Sequence, residues 1–78
     1  MRTTYLVCYD VADDKRLRKV FKTCSNFGNH LQFSIFECDL NPSEKVELEM
    51  VFDEHQARYP DNIGLNQLYD SIVEKFYS

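Results

Sequence analysis

Tyr5 to Lys22 reads YLVCYDVADDKRLRKVFK, an apolar strand that ends on an acid and passes directly into a basic helix. From Thr3 to Val11 the side chains alternate, with Tyr5, Val7 and Tyr9 on one face and Leu6, Cys8 and Asp10 on the other, the period of two that a strand imposes. Both faces are mainly apolar, so the strand is expected inside a sheet. Asp10 interrupts the apolar run at the last pleat, where a carboxylate can reach solvent, a metal ion or another subunit.

Asp13 and Asp14 supply N-cap chemistry and favourable charge for a helix start, and Gly28 supplies a stop. This predicts a first helix over about Asp14 to Asn26. Leu17, Val20, Phe21 and Cys24 recur at i, i+3, i+4 and i+7, and Lys15, Arg18, Lys19 and Lys22 repeat that spacing two positions away. Two positions are about 200° of helix, so apolar and basic stripes lie on opposite faces. The apolar stripe is expected on the sheet. The basic one is either a solvated face or a surface that meets phosphates.

In His30 to Leu40, HLQFSIFECDL, the apolar parity changes midway: Leu31, Phe33 and Ile35 share one face, whereas Phe36, Cys38 and Leu40 share the other. Such a slip signals a bulge or a change of strand near Ser34 to Phe36, but no Gly or Pro marks the turn. Asn41-Pro42 then opens a second helix running to about Arg58, before Tyr59-Pro60. Glu44, Glu47, Glu49, Asp53 and Glu54 give it an acidic solvated side, Val46, Met50 and Val51 are its expected inward residues, and His55 reads as a partly exposed helix histidine. From Ile63 onward, Leu65, Leu68, Tyr69, Ile72, Val73 and Phe76 fit a helical stripe, although Ile63 to Leu68 also fits a short edge strand.

The chain of 78 residues is expected to form one domain, and a domain of this size buries only ~60% of its unfolded surface. Five Tyr and six Phe exceed what so small a core needs; aromatic rings also stack on bases and fill subunit interfaces. A second copy of the chain is therefore expected. The net charge of −4 is uneven: residues 1–40 hold six Lys/Arg against five Asp/Glu, and residues 41–78 three against eight, so any contact with nucleic acid must be local. Cys8, Cys24 and Cys38 show no paired spacing and read as buried, reduced thiols of a cytoplasmic protein. No stretch has the length and apolarity to cross a membrane. No Gly-rich phosphate loop, CxxC pair, HExxH or Ser-centred nucleophile elbow is present, which leaves NTP hydrolysis, zinc chemistry and acyl transfer without support. What remains is an acid at a strand end beside a basic stripe. One carboxylate holds Mg²⁺ poorly, because the ion wants six oxygens, and a symmetric dimer would supply a second.

Tyr9-Asp10-Val11, Asp13-Asp14-Lys15-Arg16 and Gln32-Phe33-Ser34-Ile35-Phe36-Glu37 together resemble the CRISPR-associated protein two family, the small subunit of spacer acquisition in prokaryotic adaptive immunity. The match is closest over residues 3 to 48. The resemblance implies an α+β, ferredoxin-like βαββαβ fold, with an antiparallel sheet and two helices on one face. It further implies a homodimer that binds duplex DNA together with the CRISPR integrase subunit. Members are also described as metal-dependent endonucleases on RNA or DNA. By this resemblance Asp10 is catalytic and binds Mg²⁺ at the dimer axis, Ser34 and Phe36 lie near the active site, and Arg16, Arg18 and Lys19 join Lys15 and Lys22 as nucleic-acid contacts. The region from about residue 59 diverges: the family fold needs Ile63 to Leu68 extended, confining a helix to about Tyr69 to Phe76. Three functions stay open on these residues: a metal-dependent nuclease that also binds DNA, a non-catalytic structural clamp, and a ribonuclease toxin or regulator of the same fold.

Overall fold

A computed structural model describes residues 1–68; the helix expected over Tyr69 to Phe76 lies outside the described residues. The elements are β1 (Thr3–Asp10), α1 (Asp14–Phe27), β2 (Asn29–Gln32), β3 (Ile35–Leu40), α2 (Pro42–Arg58) and β4 (Asn62–Gln67). They form one sheet of order β2-β3-β1-β4, with every neighbouring pair antiparallel. This is the βαββαβ order that the resemblance implies.

β1 is central and pairs on both sides, which is why its odd residues reach the middle of the core. Val7 and Tyr9 meet Phe36, Cys38 and Leu40 of β3, Val20 and Cys24 of α1, Leu48 and Phe52 of α2, and Ile63 of β4. All these strand residues share one face by register, so both helices cover that face. On the other face Leu6 is buried, but Cys8 and Asp10 are exposed, so of the three thiols Cys24 and Cys38 are enclosed and Cys8 is not. Burial pushes the Cys24 thiol up to about 12, with Cys38 a lesser cause. It pushes Cys38 up to about 11, with Glu37 adding to the effect.

The Asp13 carboxylate caps α1 by accepting from the Arg16 N–H at 3.0 Å. Gly28 ends the helix for a different reason from the left-handed stop that its position suggests. Its backbone is extended, but a Cβ there would lie 2.3 Å from the Glu37 carbonyl oxygen and 2.6 Å from Cys38 Sγ. The residue is glycine because β3 passes too close for a side chain. Phe21, expected inward, is 41% exposed and rests edge-on against Phe36 at 5.2 Å between ring centroids.

The parity slip resolves into a two-residue turn, Phe33-Ser34, with Gln32 opposite Ile35 and an irregularity between His30 and Gln32. The turn carries no Gly because Phe33 itself takes the left-handed conformation, φ 45°. In α2 the Asn41 side chain accepts from the Glu44 N–H at 2.8 Å and the Glu44 carboxylate accepts from the Asn41 N–H at 3.0 Å, a reciprocal cap. Its inward residues are Leu48, Phe52 and His55, spaced i, i+4, i+7. Val46, Met50 and Val51, expected there, are exposed, because the ridge that meets the sheet runs through the first set. Ile63 to Gln67 are extended: β4 pairs with β1 from Asn62↔Asp10 to Gln67↔Tyr5, and the Leu68 N–H donates to the Thr4 carbonyl at 2.8 Å. Pairing with a central strand overrides the local helical pattern.

Candidate nucleic-acid interface

Asp10 is the last residue of β1, exposed, and set opposite Asn62. By the two-residue alternation it stands with Leu6 and Cys8 on the face of the sheet that no described helix covers. Ile35 of β3 and Gly64 of β4 are register partners of Cys8 and complete a small apolar patch. Gly64 would admit a side chain with little conflict, since the nearest atom to an added Cβ is Asn66 Nδ2 at 3.3 Å. The patch is rimmed by Asp10, Glu37 and the asparagines of β4.

Ser34 comes to the same end of the sheet, its carbonyl accepting from the Tyr9 N–H at 3.1 Å. Phe36 does not join them. Its ring is fully buried on the helix side, the face opposite Asp10, and packs against Tyr9, Phe21 and His30. From there it positions neighbours and has no path to a substrate.

Lys15, Arg18, Lys19 and Lys22 are exposed along α1, with no acidic partner among the described residues. Arg16, expected with them, is turned inward. Its Nε and Nη2 donate to the two Asp61 oxygens at 2.8 and 3.3 Å, and its guanidinium lies over the Tyr59 ring, 4.7 Å from the centroid. Asp61 also accepts from His55 Nε2 at 2.7 Å. Asp61 is 6% exposed and His55 8%, so the read of His55 as a partly exposed residue is corrected: it is a buried member of a polar tie joining α1, α2 and the approach to β4. The hydrogen bond from Arg16 is the main reason that the Asp61 carboxyl sits below its usual range, with His55 acting in the same direction against the effect of burial. Arg16 and Asp61 are 45 residues apart, so no local pattern exposes the pair; the only sequence signal is an acid between Pro60 and an apolar strand.

As for a metal, Asp10 offers hard, exposed oxygens of the kind Mg²⁺ takes. No group of three His, Cys, Asp or Glu side chains that could hold an ion forms among the described residues. No helix among the described residues is long and apolar enough to cross a membrane.

Residues 1–72 match the family model described as CRISPR associated protein Cas2. A curated relative from Rhodospirillum rubrum, named CRISPR-associated endoribonuclease Cas2 1, is 36% identical over 59 residues, covering 76% of this chain and 58% of its own length. The chain thus spans little more than half of that relative. Among solved structures, Streptococcus pyogenes Cas2 superposes with a TM-score of 0.74 at 31% identity, covering 92% of this chain and 93% of the other. A chain of a partial Cas6-RT-Cas1–Cas2 complex superposes at 0.77 with 28% identity, covering 100% of this chain and 88% of the other.

Proposed function

Because the chain belongs to the CRISPR associated protein Cas2 family, we propose that it acts in spacer acquisition as a homodimer that binds duplex nucleic acid beside an integrase subunit and cleaves phosphodiester bonds with Asp10. The exposed stripe Lys15, Arg18, Lys19 and Lys22 carries the binding half of this reading. Four cations without acidic partners among the described residues, in a chain of net charge −4, form a local field suited to a phosphate backbone. The likeness to a chain from a Cas1–Cas2 complex supports the integrase partner.

Dimerisation is supported by the apolar patch of Cys8, Ile35 and Gly64 on the face that no described helix covers. Burying it against a second copy would bring two Asp10 carboxylates toward one axis, where their mutual repulsion favours a shared cation. Asp10 from each copy, with phosphate oxygens of the substrate, would hold Mg²⁺; the ion would stabilise charge on the phosphoryl oxygens and supply activated water. This chain's own residues bind the backbone through α1, set the Asp10 end through β1 and hold the Ser34 turn beside it. Phe36 acts as a positioning residue through Tyr9 and Phe21.

A structural clamp without chemistry is favoured by one observation: of Asp10 and Asp61 at this end of the sheet, only Asp10 is exposed, since Asp61 is buried and committed to Arg16 and His55. Cleavage of RNA and of duplex DNA, with and without Mg²⁺, by wild type and Asp10→Asn decides between them. Metal-dependent cutting by wild type that Asp10→Asn lacks is expected; equal cutting by both proteins, or none by either, returns the chain to the clamp.

A further inference from the structure

Phe33 is 87% exposed at the tip of the β2–β3 hairpin, in a left-handed conformation (φ 45°) that bulky residues seldom adopt. The tip is held from both sides. His30 Nε2 lies 2.6 Å from the Phe33 carbonyl, a contact that requires this nitrogen to carry the proton and donate. The Tyr9 N–H donates to the next carbonyl, that of Ser34. An aromatic ring is thus presented to solvent on a backbone fixed at two successive peptides. Strained positions held this firmly cluster where ligands are gripped.

Between this tip and α1 lies a cleft of about 300 Å³ lined by Tyr9, Leu17, Arg18, Phe21, Phe33 and Ser34, at the small end of the range for small-molecule sites. Its aromatic lining is pre-set as well. Phe21 is half-exposed, and its ring is fixed edge-on between His30 and Phe36, 5.2 Å from each. Arg18 stands on the rim, Lys22 follows one helical turn later on the same face, and the Ser34 hydroxyl has no partner among the described residues.

The occupant that uses all of these groups has a flat π-face, a polar edge and a negative backbone. We propose that the cleft is a subsite for one unpaired nucleobase, stacked on Phe33 and Phe21, with its edge toward Ser34 and its phosphate on Arg18. An apolar side chain of a protein partner would use the rings but leave the two cations unanswered. The inference deepens the nucleic-acid reading above and rests on it. It adds a preference that a backbone-only surface lacks: strands with an unpaired end are held more tightly than blunt ones.

The test measures affinity of the 78-residue chain for duplexes that are blunt or carry a short unpaired overhang, in DNA and RNA versions, at fixed salt. Stacking on an aromatic platform predicts a roughly five-fold to hundred-fold advantage for the overhang, with either sugar. The advantage should collapse toward one in Phe33→Ala and survive in Phe33→Tyr; Phe33 is exposed, so neither change removes core packing. A 2-aminopurine placed in the overhang should lose fluorescence on binding wild type and regain it with Phe33→Ala. Equal affinity of wild type for blunt and overhang duplexes overturns the subsite while leaving duplex binding standing, as does an advantage that survives Phe33→Ala. Binding of neither overturns the nucleic-acid reading, and the subsite falls with it.

Discussion

Asp10 and Asp61 stand at one end of the sheet, adjacent through the Asp10↔Asn62 register, and they live in opposite surroundings. Asp61 is enclosed on the helix side and answered by Arg16 and His55. Asp10 is exposed on the other face and has no hydrogen-bond or ion-pair partner among the described residues. A carboxylate committed to two fixed donors holds elements together and has little left to offer a ligand. One that is held only by its backbone is available to a cation, a phosphate's counter-ion or a second copy. The same side chain is therefore architecture at one position and open to a ligand at the other.

The sharpest way to break this contrast is to exchange the losses. Asp10→Asn should lower metal-dependent cleavage by roughly a hundred-fold or more, the scale of a charge that stabilises a phosphoryl transition state. It should leave unfolding within about 0.5 kcal/mol of wild type, as exposed surface changes do. Asp61→Asn should do the reverse, lowering the denaturant midpoint while the folded fraction retains its cleavage rate. Urea unfolding and single-turnover assays on the same preparations check both halves, and a pair of variants that fail together would show that the two acids act as one unit.

Acid titration comes next. Because the folded carboxyl of Asp61 is held below its ordinary value, its contribution is complete above the unfolded aspartate pKa of about 3.9. It is lost as pH falls from there through the lower folded value. Stability measured from pH 7 downward should fall in that window for wild type, and more shallowly for Asp61→Asn. A parallel fall in both proteins would assign the acid sensitivity to other groups.

The smallest effect separates Arg16 from its neighbours on α1. Removing any of Lys15, Arg18, Lys19 or Lys22 should lower the log–log salt slope of duplex binding by roughly 0.9. Arg16→Ala should lower the thermal midpoint, because the buried Asp61 loses one of its two donors and keeps only His55, and leave the slope near that of wild type. Arg16→Ala removing a full unit of slope would return it to the phosphate-contacting set.

Much of the scaffold was legible because its signals are local. The alternation of β1, the Asp13 cap, the Asn41-Pro42 start and the basic stripe each announce themselves within a few residues. The hairpin was not, since Phe33 occupies a conformation that sequence patterns assign to Gly or Asn. Nor were the inward residues of α2: its apolar side chains surround the helix, and only packing selects Leu48 and Phe52 over Val46 and Met50. β4 read as helix by pattern and as strand by resemblance, and its pairing with β1 decides for the strand. At the candidate site, Asp10 and four of five cations stand where the sequence put them on the surface, whereas the reassignment of Arg16 and the burial of Phe36 depend on contacts across the fold.

The unequal enclosure of the three thiols turns the molecule into its own reporter. Cys24 and Cys38 are sealed and protonated at neutral pH, which leaves Cys8 as the position that a maleimide can reach among them. Partial burial raises this thiol too, so the label should attach slowly, but at one place, on the face that no described helix covers, one pleat from Asp10. A dye fixed there would sense directly whether that face is open or covered: labelling that slows with rising protein concentration would time the arrival of a second copy, and its emission would follow any cation drawn to the acid beside it.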